Sequence, residues 1–205
     1  YDDSLSIEVS IDQDRAIFDY GVESYSAGPA RQRTRNRASH NAPIFTGDVG
    51  MDAWRAFRTG RRTDPPIWNT GKLDEWAWAI GQRFSLGYEK PTSERLVMVH
   101  PRYGILLRDR WFCLAGWSRF SVSQSKLQHI HVIDGELQPQ SETETETYSV
   151  FGQSSPATEI EIRPKTVAPI TQTTLVISCD HQSVQECASV GLSTFLSSTS
   201  GGSSI

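Results

Sequence analysis

Leu96 to Leu137 reads LVMVHPRYGILLRDRWFCLAGWSRFSVSQSKLQHIHVIDGEL and is the longest apolar-rich run in the chain. A turn-forming Pro101-Arg-Tyr-Gly104 divides it, and Gln124 to Lys126 divides it again. Between the breaks the apolar residues recur at period two. Phe112, Leu114, Phe120 and Val122 fall on one side, and Trp111, Cys113 and Trp117 on the other. Leu127 to Ile133 has the same two-sided character. Apolar residues on both sides of a strand mean that both faces are covered, so this block predicts inner strands lying between two layers.

Working outward, Leu5, Ile7, Val9 and Ile11 alternate with polar residues as a half-exposed strand does, and Arg15 to Val22 reads as a second short strand. Further short strands are expected at Tyr148 to Phe151, Thr158 to Ile162, Thr173 to Cys179 and Cys187 to Leu192. Asp48 to Thr59 reads as a helix, because Asp48 can cap it, Met51, Trp54 and Phe57 recur every three residues, and Gly60 ends it. Leu73 to Phe84 is read as a strand from the alternation of Trp76, Trp78 and Ile80, although Asp74 and Glu75 also suit a helix start. Gln138 to Thr147 reads as a solvated polar connection, with the outer face of an edge strand as the alternative.

Many short strands with hardly any helix predict an all-β fold: an antiparallel β-sandwich of jelly-roll type with one or two short helices and extended terminal arms. The expected division is an N-terminal arm over residues 1–45, the sandwich over 46–196, and a Ser/Gly tail over 197–205.

The chain has 205 residues, 37% of them hydrophobic, and a net charge of −4. That length allows a sizeable core. No apolar run approaches the ~18 residues of a membrane-spanning helix. Three cysteines, Cys113, Cys179 and Cys187, cannot build a full disulfide framework and read as buried free thiols. The first residue is Tyr1, which reads either as the product of proteolysis or as a trimmed start.

The charge is unevenly spread. Arg31, Arg33, Arg35 and Arg37 fall within seven residues that contain no apolar residue, which predicts an exposed loop. Its guanidinium groups are candidates for phosphate contact with RNA, or for pairing with the acidic N-terminal segment.

Neither a nucleophile elbow, a phosphate-binding glycine loop nor a paired-cysteine zinc spacing is present. His129-Ile-His131 with Glu136, and Cys179-Asp-His181, are the candidate metal ligands, since i, i+2 pairs on neighbouring strands can close a tetrahedral site. The His-x-His-x4-Glu spacing is similar to part of the first cupin metal motif, which implies a metal-dependent barrel enzyme as the alternative reading. Without the cupin's leading glycine or second motif, the expectation is no metal and no cofactor. Asp2, Asp3, Asp12 and Asp14 are read as solvated carboxylates. Trp54, Trp68, Trp76 and Trp78, near expected loops or ends of the core, are candidate interface anchors.

Two stretches resemble capsid proteins of picorna-like viruses of the dicistrovirus and marnavirus kind. One is Gly47-Asp48 followed by Ala53-Trp-Arg-Ala-Phe-Arg58 and Arg61-Arg62. The other is Leu114-Ala-Gly-Trp-Ser-Arg-Phe120, with Gly116, Arg119 and Phe120 at the matching places. The resemblance implies a non-enzymatic jelly-roll subunit of a virion, assembling with other capsid subunits around genomic RNA. Arg31, Arg33, Arg35 and Arg37 would then contact the RNA. A phage tail or head protein and a small RNA-binding module are the further alternatives.

Overall fold

A computed structural model of the protein describes residues 3–55, 57–112, 115–138, 143–150, 153–166, 168–178, 183–190 and 193. The strands, in chain order, are β1 (Val9–Ile11), β2 (Asp14–Ile17), β3 (Pro43–Phe45), β4 (Met51–Trp54), β5 (Arg58–Arg62), β6 (Ile67–Leu73), β7 (Trp76–Arg83) and β8 (Ser93–His100). They continue with β9 (Gly104–Phe112), β10 (Gly116–Val122), β11 (Ile130–Asp134), β12 (Glu136–Leu137), β13 (Thr143–Val150), β14 (Gln153–Arg163) and β15 (Ile170–Ile177). Helix α1 is Pro29–Arg35, and residues 183–190 form α2.

One sheet runs β1-β2-β10-β14-β12, with β3 also on β10 and β13 also on β14; the other runs β11-β15-β9-β8-β7-β6. Every pairing in both is antiparallel. The expected antiparallel all-β sandwich is therefore the observed fold.

Between the sheets lies one core: Val9, Ile17, Phe120, Val122, Ile160 and Ile162 against Leu107, Leu175 and Ile177. The outer face of the second sheet carries another, where Trp76, Leu96, Met98, Leu106 and Val176 pack under Val184 and Cys187 of α2. Strands β8 and β9 are thus covered on both faces. Each large apolar side chain buried this way contributes ~1.5–3 kcal/mol. Leu127 to Ile133, expected as an inner strand, is instead the end of a 3-10 turn followed by the edge strand β11, which pairs only with β15 and is half-buried, because no further strand or layer among the described residues covers its outer side.

Several local expectations fail for identifiable reasons. Asp48 to Thr59 is not a helix but the main part of the hairpin β4–β5, which forms a two-stranded sheet of its own. Arg55 takes a positive φ of 58° at its turn. No apolar surface receives a helical stripe here, and Trp54 and Phe57 remain 60% and 61% exposed. Cys187 to Val190 is helical because Val184 and Cys187 make one stripe against the outer core; residues 191 and 192 lie outside the described residues. Thr143 to Thr147 is strand rather than solvated connection, paired to β14. The strand reading of Leu73 to Phe84 holds in β7.

The arginine-rich segment is also not an exposed loop. It forms α1 and the 3-10 turn Arg37–Ser39, and Arg31, Arg35 and Arg37 are buried. Pro29 opens the helix, where its missing N–H costs nothing.

Candidate functional site

The end of the sandwich where α1 meets the β3–β4 connection holds a cavity of about 350 Å³. Gln32, Arg35, Arg37, Asp48, Met51 and Arg55 are among the residues lining it. Asp48, 2% exposed, anchors its floor. Its Oδ1 accepts from Arg83 Nη1 at 2.6 Å and from Ser85 Oγ at 2.8 Å, and its Oδ2 lies 3.0 Å from Arg37 Nε. Ser85 also sits 3.0 Å from Thr92 Oγ1. A buried carboxylate is tolerated only when paired and hydrogen-bonded, and two guanidinium groups do both here.

Arg37 extends the network into the backbone, donating from Nη1 to Ser4 O at 3.0 Å and from Nη2 to Pro43 O at 2.8 Å. Arg35 donates to Arg55 O at 2.8 Å and to Arg58 O at 3.4 Å, which ties the β4–β5 turn to α1. With Asp48 paired to Arg37 and Arg83, the lining residues include three arginines, Arg35, Arg37 and Arg55, and one carboxylate, Asp48.

Three residues beyond Arg37, His40 Nδ1 meets Asp19 Oδ1 at 2.7 Å, with the imidazole 2% exposed. A carboxylate on Nδ1 sets which ring nitrogen carries the proton and how the ring lies. Asn41, the next residue, receives Ser121 N–H on Oδ1 at 2.7 Å and donates to Ile7 O at 3.2 Å. These bonds hold the His40 backbone against β10.

Of the arginines singled out by sequence, the structure brings Arg35 and Arg37 to the cavity. Arg31 is laid over the rings of Tyr25 and Phe57 at 5.0 and 5.8 Å, and Arg33 faces solvent, paired with Glu23 at 2.8 Å. That hydrogen bond holds the Arg33 guanidinium above its usual pKa. Sequence reading missed Asp19, His40, Arg83 and Ser85 and saw in Asp48 a helix cap and, with Gly47, part of the capsid resemblance. Asp19 and His40, Asp48 and Arg83, and Asp48 and Ser85 lie 21, 35 and 37 positions apart, and no motif joins them.

The four tryptophans do not share one surface. Trp76 is buried and Trp78 packs against the same outer core, while Trp54 and Trp68 are exposed. His129 ends a 3-10 turn, His131 lies on β11 and Glu136 is exposed on β12. Among the described residues no group of three His, Cys, Asp or Glu side chains could hold a metal ion. Cys113, Leu114, Cys179, His181, Tyr1, Asp2 and the tail over residues 197–205 lie outside the described residues.

The fold has relatives among solved structures. The heparan sulfate lyase HepC from Pedobacter heparinus superposes with a TM-score of 0.59 at 13% identity, over 88% of this chain and 31% of that one. A heparinase III gives 0.54 at 10% identity, and its form with methylated lysines 0.52 at 10% identity, each over 86% of this chain and 30% of that one. The chain therefore spans about a third of the length of these structures. No curated protein matches it by sequence.

The family model described as heparinase II/III-like, C-terminal, matches residues 2–114. This overturns the picorna-like capsid reading, with its virion location and its shell of subunits around RNA. It also overturns the expectation of a non-enzymatic protein, since the family takes its name from enzymes; the cupin-like and phage alternatives do not fit either. The capsid resemblance rested on glycines, arginines and aromatics at turns and strand starts, which many β-sandwiches share. The matched span is more than half of the sequence and contains Asp19, His40, Asp48 and Arg83. The chain belongs to the heparinase II/III-like, C-terminal family.

Proposed function

We propose that this chain works in the eliminative breakdown of an acidic polysaccharide, contributing an electropositive end of its sandwich to the site that holds the sugar acid. The observation that carries the reading is the family match over residues 2–114, which takes in the whole Arg37–Asp48–Arg83 cluster and the cavity above it.

The chemistry asks for such groups. Elimination at a uronate removes the proton from C5, breaks the bond between C4 and its oxygen, and leaves a C4–C5 double bond while the departing oxygen takes up a proton. Charge builds on the carboxylate as the C5 proton leaves, and guanidinium groups near it lower that barrier. Arg35 and Arg55 line the cavity where a carboxylate or sulfate would sit.

The protein that carries this chain should be incubated with heparan sulfate, other uronate polysaccharides and neutral dextran, following the ultraviolet absorbance of the unsaturated uronate. The expected result is absorbance growing with an acidic polymer and not with dextran, and falling on Asp48→Ala. No unsaturated product from any uronate polymer would overturn the reading.

A further inference from the structure

The cavity has two unlike walls. Gln32 and Arg35 of α1, with Asn36 and Arg37 just beyond it, form a polar one. Val49, Met51, Ala53 and Arg55 form the other, to which Gly50 adds backbone only. Every second residue through β4 thus looks into the cavity, and three apolar side chains in a row lead to a guanidinium at the turn. Asp52, the one acid of the hairpin, lies on the opposite face with Arg61 at 3.0 Å.

The partner strand brings a further guanidinium to this same wall, and a β-bulge is the reason. Ala53 pairs with Thr59 and Met51 with Arg62, so Gly60 and Arg61 together stand opposite Asp52. Strict alternation from Thr59 would turn Arg62 to the Trp54 side; the extra residue returns it to the face of Met51 and Ala53. Arg62 Nη2 donates to Thr59 Oγ1 at 2.9 Å, which lays the guanidinium back along the wall, beside the Thr59–Ala53 pair. Arg62 is exposed and forms no ion pair among the described residues. Its other N–H groups are open to an anion.

We propose that the cavity continues along this wall to Arg62 as a slot that holds an acidic oligosaccharide lengthwise. The anionic group of one sugar sits at Arg35 and Arg55, that of another at Arg62, and the apolar faces of the rings lie over Met51 and Ala53. Met51, across from Arg62, is four residues from Arg55, ~13 Å along an extended strand, which is longer than one sugar ring. Two cationic ends with apolar side chains between them fit a polymer whose acid recurs along its length, whereas a single small anion would engage one end only. The Asp48 carboxylate does not oppose this occupant, because Arg37 and Arg83 already pair with it. The inference rests on the acidic-polysaccharide reading above and adds to it the length of substrate held and the role of Arg62.

Calorimetric titration of the protein that carries this chain tests the slot, with a hexasaccharide and a disaccharide of heparan sulfate and with maltohexaose as the neutral probe. The variants are Arg62→Gln, Thr59→Val and Arg58→Gln, the last an arginine of the same strand that stands across from Trp54 on the other face. Arg62→Gln is expected to weaken hexasaccharide binding about tenfold, the size of one charge-assisted contact, and to leave the disaccharide, held by Arg35 and Arg55, unchanged. Thr59→Val, which frees the Arg62 side chain, should weaken the hexasaccharide by less. Arg58→Gln should bind both as wild type does, and maltohexaose should not bind. Wild-type hexasaccharide affinity in Arg62→Gln would overturn the slot, as would an equal loss for the disaccharide. An equal loss in Arg58→Gln would overturn it too, by making the effect one of overall surface charge. Each of these results leaves release of the unsaturated uronate untouched, so the slot can fail while the lyase reading stands. A wild type that binds neither oligosaccharide would overturn both.

Discussion

Arg95 on β8 stands directly across from Asp109 on β9, and its Nε and Nη2 close on the two carboxylate oxygens at 2.7 and 2.6 Å. The pair is fully inside the sandwich, with Ser118 Oγ donating to Asp109 at 2.7 Å and Thr173 Oγ1 2.7 Å from Ser118. Arg95 Nη1 donates onward to the carbonyls of Leu5 and Asn41, so one charged pair fastens the N-terminal segment and the residue after His40 to the core.

Removing one partner of such a pair strands the other charge in the interior. Asp109→Ala is expected to lower the unfolding free energy by about 3–5 kcal/mol in a urea titration. Replacing both residues with apolar ones of similar volume should restore much of that loss, whereas a double variant no better than the single would show that the pair does not act as a unit.

Asp48 is expected to behave in the same way and to affect binding as well. Asp48→Ala leaves Arg37 and Arg83 facing each other without a carboxylate and should cost about 3 kcal/mol in chemical denaturation. Asp48→Asn keeps the shape and an acceptor for Arg83 and should cost less. Equal stability of all three proteins would contradict the role assigned to this network.

Burial pushes the Cys187 thiol up from its ordinary 9.0 to about 11. The folded state favours the neutral thiol, so its contribution is complete below pH 9 and is lost as pH rises toward 11. Denaturation at a series of pH values should show a decline of about 2 kcal/mol across that window that is absent in Cys187→Ala. The same burial predicts negligible alkylation of Cys187 by iodoacetamide at pH 8 until the protein is unfolded.

Two glycines separate backbone constraint from side-chain contact. Gly104 turns β8 into β9 at a φ of 101°, and an added Cβ would collide with the carbonyl oxygen of Ile177. Gly104→Ala should cost about 3 kcal/mol. Gly60→Ala displaces only the exposed Trp54 ring and should change thermal stability by less than about 0.5 kcal/mol. The reverse order would place the strain in the wrong hairpin.

What was legible in the chain follows from the range of the interactions. Alternation at Trp111 and Phe112 and at Trp117, Phe120 and Val122 reports a local fact, which faces of a strand are covered, and it led to the sandwich. The arginines of residues 31–37 could not be read this way. Arg35 and Arg37 are buried because carbonyls of Ser4, Pro43, Arg55 and Arg58 and the Asp48 carboxylate receive them, and composition does not reveal those distant acceptors. An arginine that hydrogen-bonds backbone and one that waits for phosphate look alike in sequence. Asp19 and His40 carried no spacing signal, and the stripe of α2 was too short to tell from a strand.

The central claim is that the chain serves an eliminative reaction on an acidic polysaccharide, and mass spectrometry of the cleavage products tests it most directly. Fragments from heparan sulfate or another uronate polymer treated with the protein that carries this chain should be one water lighter than hydrolysis products at their non-reducing ends, as a C4–C5 double bond requires. Fragments of full hydrolytic mass, or an uncut polymer throughout the uronate series, would contradict the account.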